Sequence, residues 1–182
     1  MLKDLFAQAQ YVPRALLMTA LITAAGLFCM DGGREKWKIK NILKYRRVIL
    51  FVFYLSFLLT CAVFARTRTN PTTSVMRNFG FRRNNAAWNR EIIENILVFT
   101  PYTFIFLWAF KPEKPWKAAL ILSAATTCVI EFSQLVMWLG YFQLADIVHN
   151  ILGGMIGCAA WVAFRSCAEK LRGNKKTPRQ RE

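Results

Sequence analysis

The chain is poor in the residues that most soluble enzymes rely on. It has one histidine, ten acidic residues and no C-x-x-C pair among its five cysteines. A lone His149 with no cysteine nearby gives no metal-ligand spacing. It also leaves no Ser/His/Asp set for nucleophilic catalysis, and no cofactor is implied. Four of the cysteines (Cys29, Cys61, Cys128 and Cys158) fall within apolar runs, where a free thiol behaves as a small hydrophobe. Cys167 lies beyond them. Long polar stretches are missing too. Of 182 residues, 55% are hydrophobic, and the mean hydropathy is +0.26. No room remains for a sizeable soluble core.

What the chain does have is apolar runs of membrane-spanning length. A spanning helix needs about 20 mostly apolar residues. Five runs qualify: Tyr11–Met30, Val48–Ala65, Ile92–Phe110, Trp116–Leu139 and Ile147–Phe164. The expected fold is all-α, a polytopic membrane helical bundle of about five transmembrane helices. Residues 1–47 read as a first span plus a basic loop. Residues 48–164 read as the membrane domain, and 165–182 as a basic tail without fixed structure.

The net charge is +15, and the cations are unevenly placed. Seven lie between Arg34 and Arg47, three between Lys111 and Lys117, and seven between Arg165 and Arg181. These alternate connections hold seventeen of the 25 cations. By the positive-inside rule the C-terminus is cytoplasmic and the N-terminus outside. Cations confined to membrane-flanking segments point to anionic lipid headgroups rather than to nucleic acid. The first run is read as a retained signal anchor. As a cleaved signal it would send a seven-cation loop across the membrane.

Within the runs a few residues break the apolar pattern. Val48–Ala65 carries no charge and reads as a plain lipid-facing scaffold. The long loop 66–91 interleaves aromatics and cations at Phe79-Gly80-Phe81-Arg82-Arg83, and such loops are either functional or simply interfacial. Pro101 interrupts the third run and is expected to kink it. In the fourth run, Ala124, Thr127, Glu131, Gln134 and Trp138 share one helical face. Glu131 lies about 21 Å from Lys117 at 1.5 Å per residue, in the outer part of a core about 30 Å thick. In the fifth run, Asp146, Asn150, Gly153, Gly157 and Ala160 form a stripe. Gly153 and Gly157 make a G-x-x-x-G packing seam.

An acid in hydrocarbon costs about 2.5 kcal/mol or more, so it is normally turned inward and used. Glu131 and Gln134 are therefore expected to face Asp146 and Asn150 near the outer surface. Asn95 begins the third span on the same side. His149 reads as a hydrogen-bonded residue at a helix start. The competing reading of all these polar groups is plain helix–helix adhesion.

The same residues carry a family resemblance. Asn95-Ile-Leu-Val-Phe99-Thr-Pro101, then Glu131-Phe-Ser-Gln134, then Asp146-Ile-Val-His-Asn150-Ile-Leu-Gly153-Gly-Met-Ile-Gly157 resemble the VanZ-like pattern. It covers roughly residues 48–164. The resemblance implies a small, multi-pass bacterial cell-membrane protein associated with resistance to teicoplanin-type glycopeptides. Two departures stand out. The family's Gly-Arg and extra Asp before the final Asp are replaced by Gly140-Tyr-Phe-Gln-Leu-Ala145, and Thr103 stands where the family has Gly.

Three functions follow from these readings. The first is a non-enzymatic protein that modulates the envelope's response to lipid-tailed glycopeptides. It would bind the drug's acyl tail or a lipid-linked cell-wall precursor. The second is an enzyme acting on a lipid headgroup with Glu131 or Asp146 as acid or base. The third is a structural subunit that uses the glycine seam. The charge pattern itself is testable. A reporter fused after Glu182 should be active only as a cytoplasmic type. An external readout would reverse the orientation and move the polar cluster to the inner face.

Overall fold

The structure is a computed structural model that describes Ala20 and residues 39–64, 80, 81, 83, 85–137 and 142–174. The expected first span, Tyr11–Met30, lies outside these apart from Ala20. The described elements are all helical. Helix α1 is Ile39–Leu59, ending in a π-helical turn at Thr60–Phe64. Helices α2, α3 and α4 are Ala86–Phe110, Pro115–Val136 and Leu144–Asn174. All four are long and apolar enough to cross a membrane. The shortest, 21 residues, is about 32 Å long.

The ends follow local chemistry. Asn85 caps α2 by accepting the Trp88 N–H at 3.0 Å. Lys111 closes it in a left-handed conformation, φ 49°, donating its N–H to Leu107 O at 3.0 Å. Pro115 sits in the first turn of α3, where its missing N–H costs nothing. Residues 165–174, expected as unstructured tail, instead continue α4. An Arg165–Glu169 pair at 2.8 Å and Arg172 in the last turn both favour the helix.

The pairwise contacts set the helix directions. Tyr54 donates to Val98 O at 2.9 Å, and the Phe51 ring lies 5.6 Å from Tyr102 and 5.5 Å from Phe110. Hence α1 and α2 are antiparallel. Tyr102 bonds Thr126 at 2.8 Å and Thr103 bonds Ser123 at 3.2 Å, so α3 opposes α2. Glu131 meets Gln143, and Thr127 meets Asn150, so α4 opposes α3. The directions alternate. The start of α1, the α2–α3 turn and the end of α4 therefore share one end of the bundle, and the basic segments gather there. Trp108 and Trp161 lie at this end with Arg47 and Arg165 against their rings, at 4.7 and 5.6 Å. Lys117 covers Trp116 at 5.2 Å. Amphipathic rings beside cations form an interfacial belt.

The bundle is apolar outside and partly polar inside. Leu97, Ile121, Val129 and Phe132 are exposed, whereas Ser56, Thr60, Thr103, Ser123 and Thr127 are buried. This suits lipid, where apolar surface gains nothing by burial and hydroxyls join helices instead. Cys128, within an apolar run, is exposed, and so is Cys167 beyond the runs. Helix α1 is also not a plain scaffold: Phe51 and Leu58 pack with Phe99, Tyr102 and Ile130. Its apolar composition suits a helix interface as well as lipid.

The tightest approach joins α4 to α2, not α4 to α3. A Cβ at Gly153 would fall on the Ile96 backbone, 2.9 Å from its Cα. A Cβ at Gly157 would fall on the Thr100 carbonyl and 3.3 Å from Phe104 N. Two glycines four apart thus ride over two α2 residues four apart. Gly154, next to Gly153, meets Ser123 of α3 and the Thr103 hydroxyl. The Thr100 hydroxyl is shared between Ile96 O at 2.8 Å and Gly153 O at 3.1 Å. Pro101 lies inside α2 without ending it. Hydrogen bonds from Thr100 and Tyr54 to nearby carbonyls add polar support where the proline N–H is missing.

Gly157→Leu should lower thermal stability in detergent, with an overpacking cost of about 1–3 kcal/mol. Gly157→Ala should move in the same direction, because its Cβ already meets backbone that cannot rotate away. An unchanged melting temperature for both would place this stripe against lipid.

Candidate functional site

At the bundle end opposite the Trp–cation belt, α3 finishes and α4 begins. The buried polar residues collect here. Glu131 and Gln134 are each 1% exposed, and Asp146, His149 and Asn150 are also buried. Of the expected site residues, only Asn95 is half-buried. It adjoins Ile96, which packs on Gly153, one turn along α4 from Asn150.

The local chemistry explains how acids are tolerated at this depth. The first N–H groups of a helix have no partner within it and form its positive end. Glu131 accepts the N–H of Gln143, the residue just before α4, at 2.9 Å. It therefore caps a neighbouring helix. Asp146 stands in the first turn of α4, close to the same positive end. Its own N–H donates to Gln143 O at 3.1 Å. Both carboxylates thus lie at one helix N-terminus. Asp146 comes three residues after the Glu131 contact at Gln143 and four before the Thr127 contact at Asn150. It falls between them along α4.

Two groups extend the cluster. Asn150 Nδ2 donates to Thr127 Oγ1 at 2.8 Å, both residues being buried. Gln134 Nε2 donates to Ala62 O at 2.9 Å. The second contact crosses to the π turn that ends α1. A π turn sets carbonyls out of the usual register, and such turns recur at functional sites. Gln134 therefore bonds α1, whereas the helix phases alone turned it toward α4.

The face drawn from periodicity also shifts slightly. Ser123, Thr127, Glu131 and Gln134 are buried, while Ala124 is half-buried. Two participants were not singled out from sequence. Thr127 lay on the expected face but was not named as a site residue. Gln143 sits in the turn, where no periodicity applies. Its position just before an acid-started helix was the available signal.

Several acceptors remain open. Gln134 Oε1, Gln143 Oε1 and Asn150 Oδ1 are buried and have no hydrogen-bond donor. All three are amide oxygens. Among the described residues no three His, Cys, Asp or Glu side chains come together as a metal site. On the α2 side, Trp88 packs with Ile92 and Ala145, and its Nε1 donates to Gly80 O at 2.9 Å. That contact fastens the end of the preceding loop to the start of α2. Phe81 and Arg83 beside it are exposed.

A family model described as VanZ/LLP1 matches residues 48–165. That stretch runs from within α1 to within α4, and it contains the glycine seam and every residue of the polar cluster. No curated protein and no solved structure matches the chain. With close to two thirds of its length matched, this multi-pass membrane protein belongs to the VanZ/LLP1 family.

Proposed function

We propose that the protein modulates the response of a bacterial cell envelope to lipid-tailed glycopeptides of the teicoplanin type. The site is the cluster Glu131, Gln134, Asp146 and Asn150, with Asn95 and His149 beside it, open to the outer face. The observation that carries this reading is the placement of the cluster. Two buried carboxylates and two buried amides meet at the bundle end opposite the basic segments. The positive-inside rule makes that end external, with the basic tail in the cytoplasm. A drug held at the outer leaflet by an acyl tail would dwell at that level, as would a lipid-linked cell-wall precursor. A glycopeptide without a tail would not. The basic end would rest on anionic headgroups of the inner leaflet.

Polar adhesion alone explains the inner ladder of Thr103, Ser123 and Thr100. It accounts less well for two acids at one end, since each brings a desolvation cost that hydroxyls avoid. Family membership supports the envelope setting.

Expression in a susceptible Gram-positive host should raise tolerance to teicoplanin more than to vancomycin. Glu131→Gln and Asp146→Asn keep shape and remove charge. At equal protein abundance each should abolish the effect. Full tolerance in both variants would reduce the acids to helix capping. No tolerance in the parent chain would overturn the glycopeptide reading altogether.

A further inference from the structure

Three of the cluster's open valences are of one kind. Gln134 Oε1, Gln143 Oε1 and Asn150 Oδ1 are buried acceptors with no donor. Leaving a buried amide oxygen without a donor costs its full desolvation. Three toward one end of the bundle, on α3, on α4 and in the turn between them, are more than adhesion needs. One N–H of Gln134 and one of Asn150 are engaged, by Ala62 O and Thr127 Oγ1. Those engaged donors hold each amide with its oxygen free. The Gln143 N–H is likewise engaged by Glu131. The vacant positions therefore want hydrogen-bond donors, and a group rich in acceptors, such as a bare phosphate, is a poor match.

The surroundings narrow the source. The cluster sits where α3 ends and α4 begins, near the membrane boundary. Phe132 and Val136 of α3 and Val148 and Leu152 of α4 present exposed apolar surface on either side of it. A molecule reaching this level with an acyl chain along such surface is a membrane lipid.

We infer that the buried amide oxygens of Gln134, Gln143 and Asn150 receive the donor-bearing headgroup of a membrane lipid, an ammonium or a sugar hydroxyl. This rests on the reading of the cluster as a ligand site and adds the chemistry of its occupant. The ligand supplies N–H or O–H protons, the three amides accept them, and no bond is made or broken.

The test uses the full chain in phosphatidylcholine nanodiscs, since choline has no N–H. Phosphatidylethanolamine or a glucosyl diacylglycerol is added at equal mole fraction in parallel samples, and thermal unfolding is followed. A ligand that binds only the folded state raises the melting temperature. The expected result is a rise of a few degrees with at least one donor-bearing lipid over phosphatidylcholine alone. A response to the ethanolamine lipid alone assigns the ammonium, and a response to the glucosyl lipid alone assigns the hydroxyl. Gln143→Met keeps the backbone N–H to Glu131 and removes one open acceptor, so it should shrink that rise. Equal melting in all three membranes would overturn the inference and leave the acceptors to buried water. Undiminished selectivity in Gln143→Met would also overturn the assigned site, and the wild-type comparison stands without the variant. Loss of lipid selectivity alongside glycopeptide tolerance that still depends on Glu131 would sink this inference and spare the functional reading.

Discussion

The close approach of α4 to α2 is the constraint on which the rest of the bundle depends. In lipid, helices gain nothing from hiding leucines, so they associate by close packing and interhelical hydrogen bonds. Gly153 and Gly157 remove the side chains that would hold α4 away from Ile96 and Thr100. Gly154 does the same toward Ser123. With three contacts of this kind, α4 is held against α2 and α3 together. The polar pairs then fall within bonding range: Thr100 with Gly153 O, Thr103 with Ser123, and Thr127 with Asn150.

The polar cluster is the upper end of that same seam. Below it, hydroxyls and glycines only join helices. Above it, the start of α4 offers unpaired N–H groups, and two acids occupy its positive end. Capping therefore makes buried carboxylates tolerable, and the same placement lines up amide oxygens without donors. Adhesion and the proposed binding would then use adjoining residues of one surface. This gives a physical reason for the family's motifs to occur in order along α2, α3 and α4.

Much of this was legible in the sequence. Hydropathy located the four described spans, because lipid demands long apolar helices with their backbone bonded internally. The burial of Glu131, Gln134, Asp146 and Asn150 was also legible, since an acid in hydrocarbon has few alternatives. Which neighbour each face meets was not. The stripe of Gly153 and Gly157 reads the same whether it packs on α2 or α3, because periodicity gives a direction from one axis and no partner. For the same reason the Gln134 bond to Ala62 was missed. The extension of α4 to Asn174 escaped because its last turns are polar, and their stability comes from Arg165–Glu169 and the helix dipole. Thr103 bonds the Ser123 hydroxyl beside it, a contact that hydropathy does not reveal.

The central claim is that the glycine seam holds the polar cluster in register. The most direct measurement is a double-mutant cycle between Thr127 and Asn150, using Thr127→Val and Asn150→Leu, run in the parent chain and again in Gly157→Leu. The cycle isolates the pair from the rest of the protein. Such pairs in membrane helices couple by about 0.6 kcal/mol on average, up to about 1.7. The account predicts a coupling of that size in the parent chain and its collapse toward zero once Gly157 is replaced. Equal coupling in both backgrounds would contradict it, and would mean that α3 and α4 hold their cluster without α2.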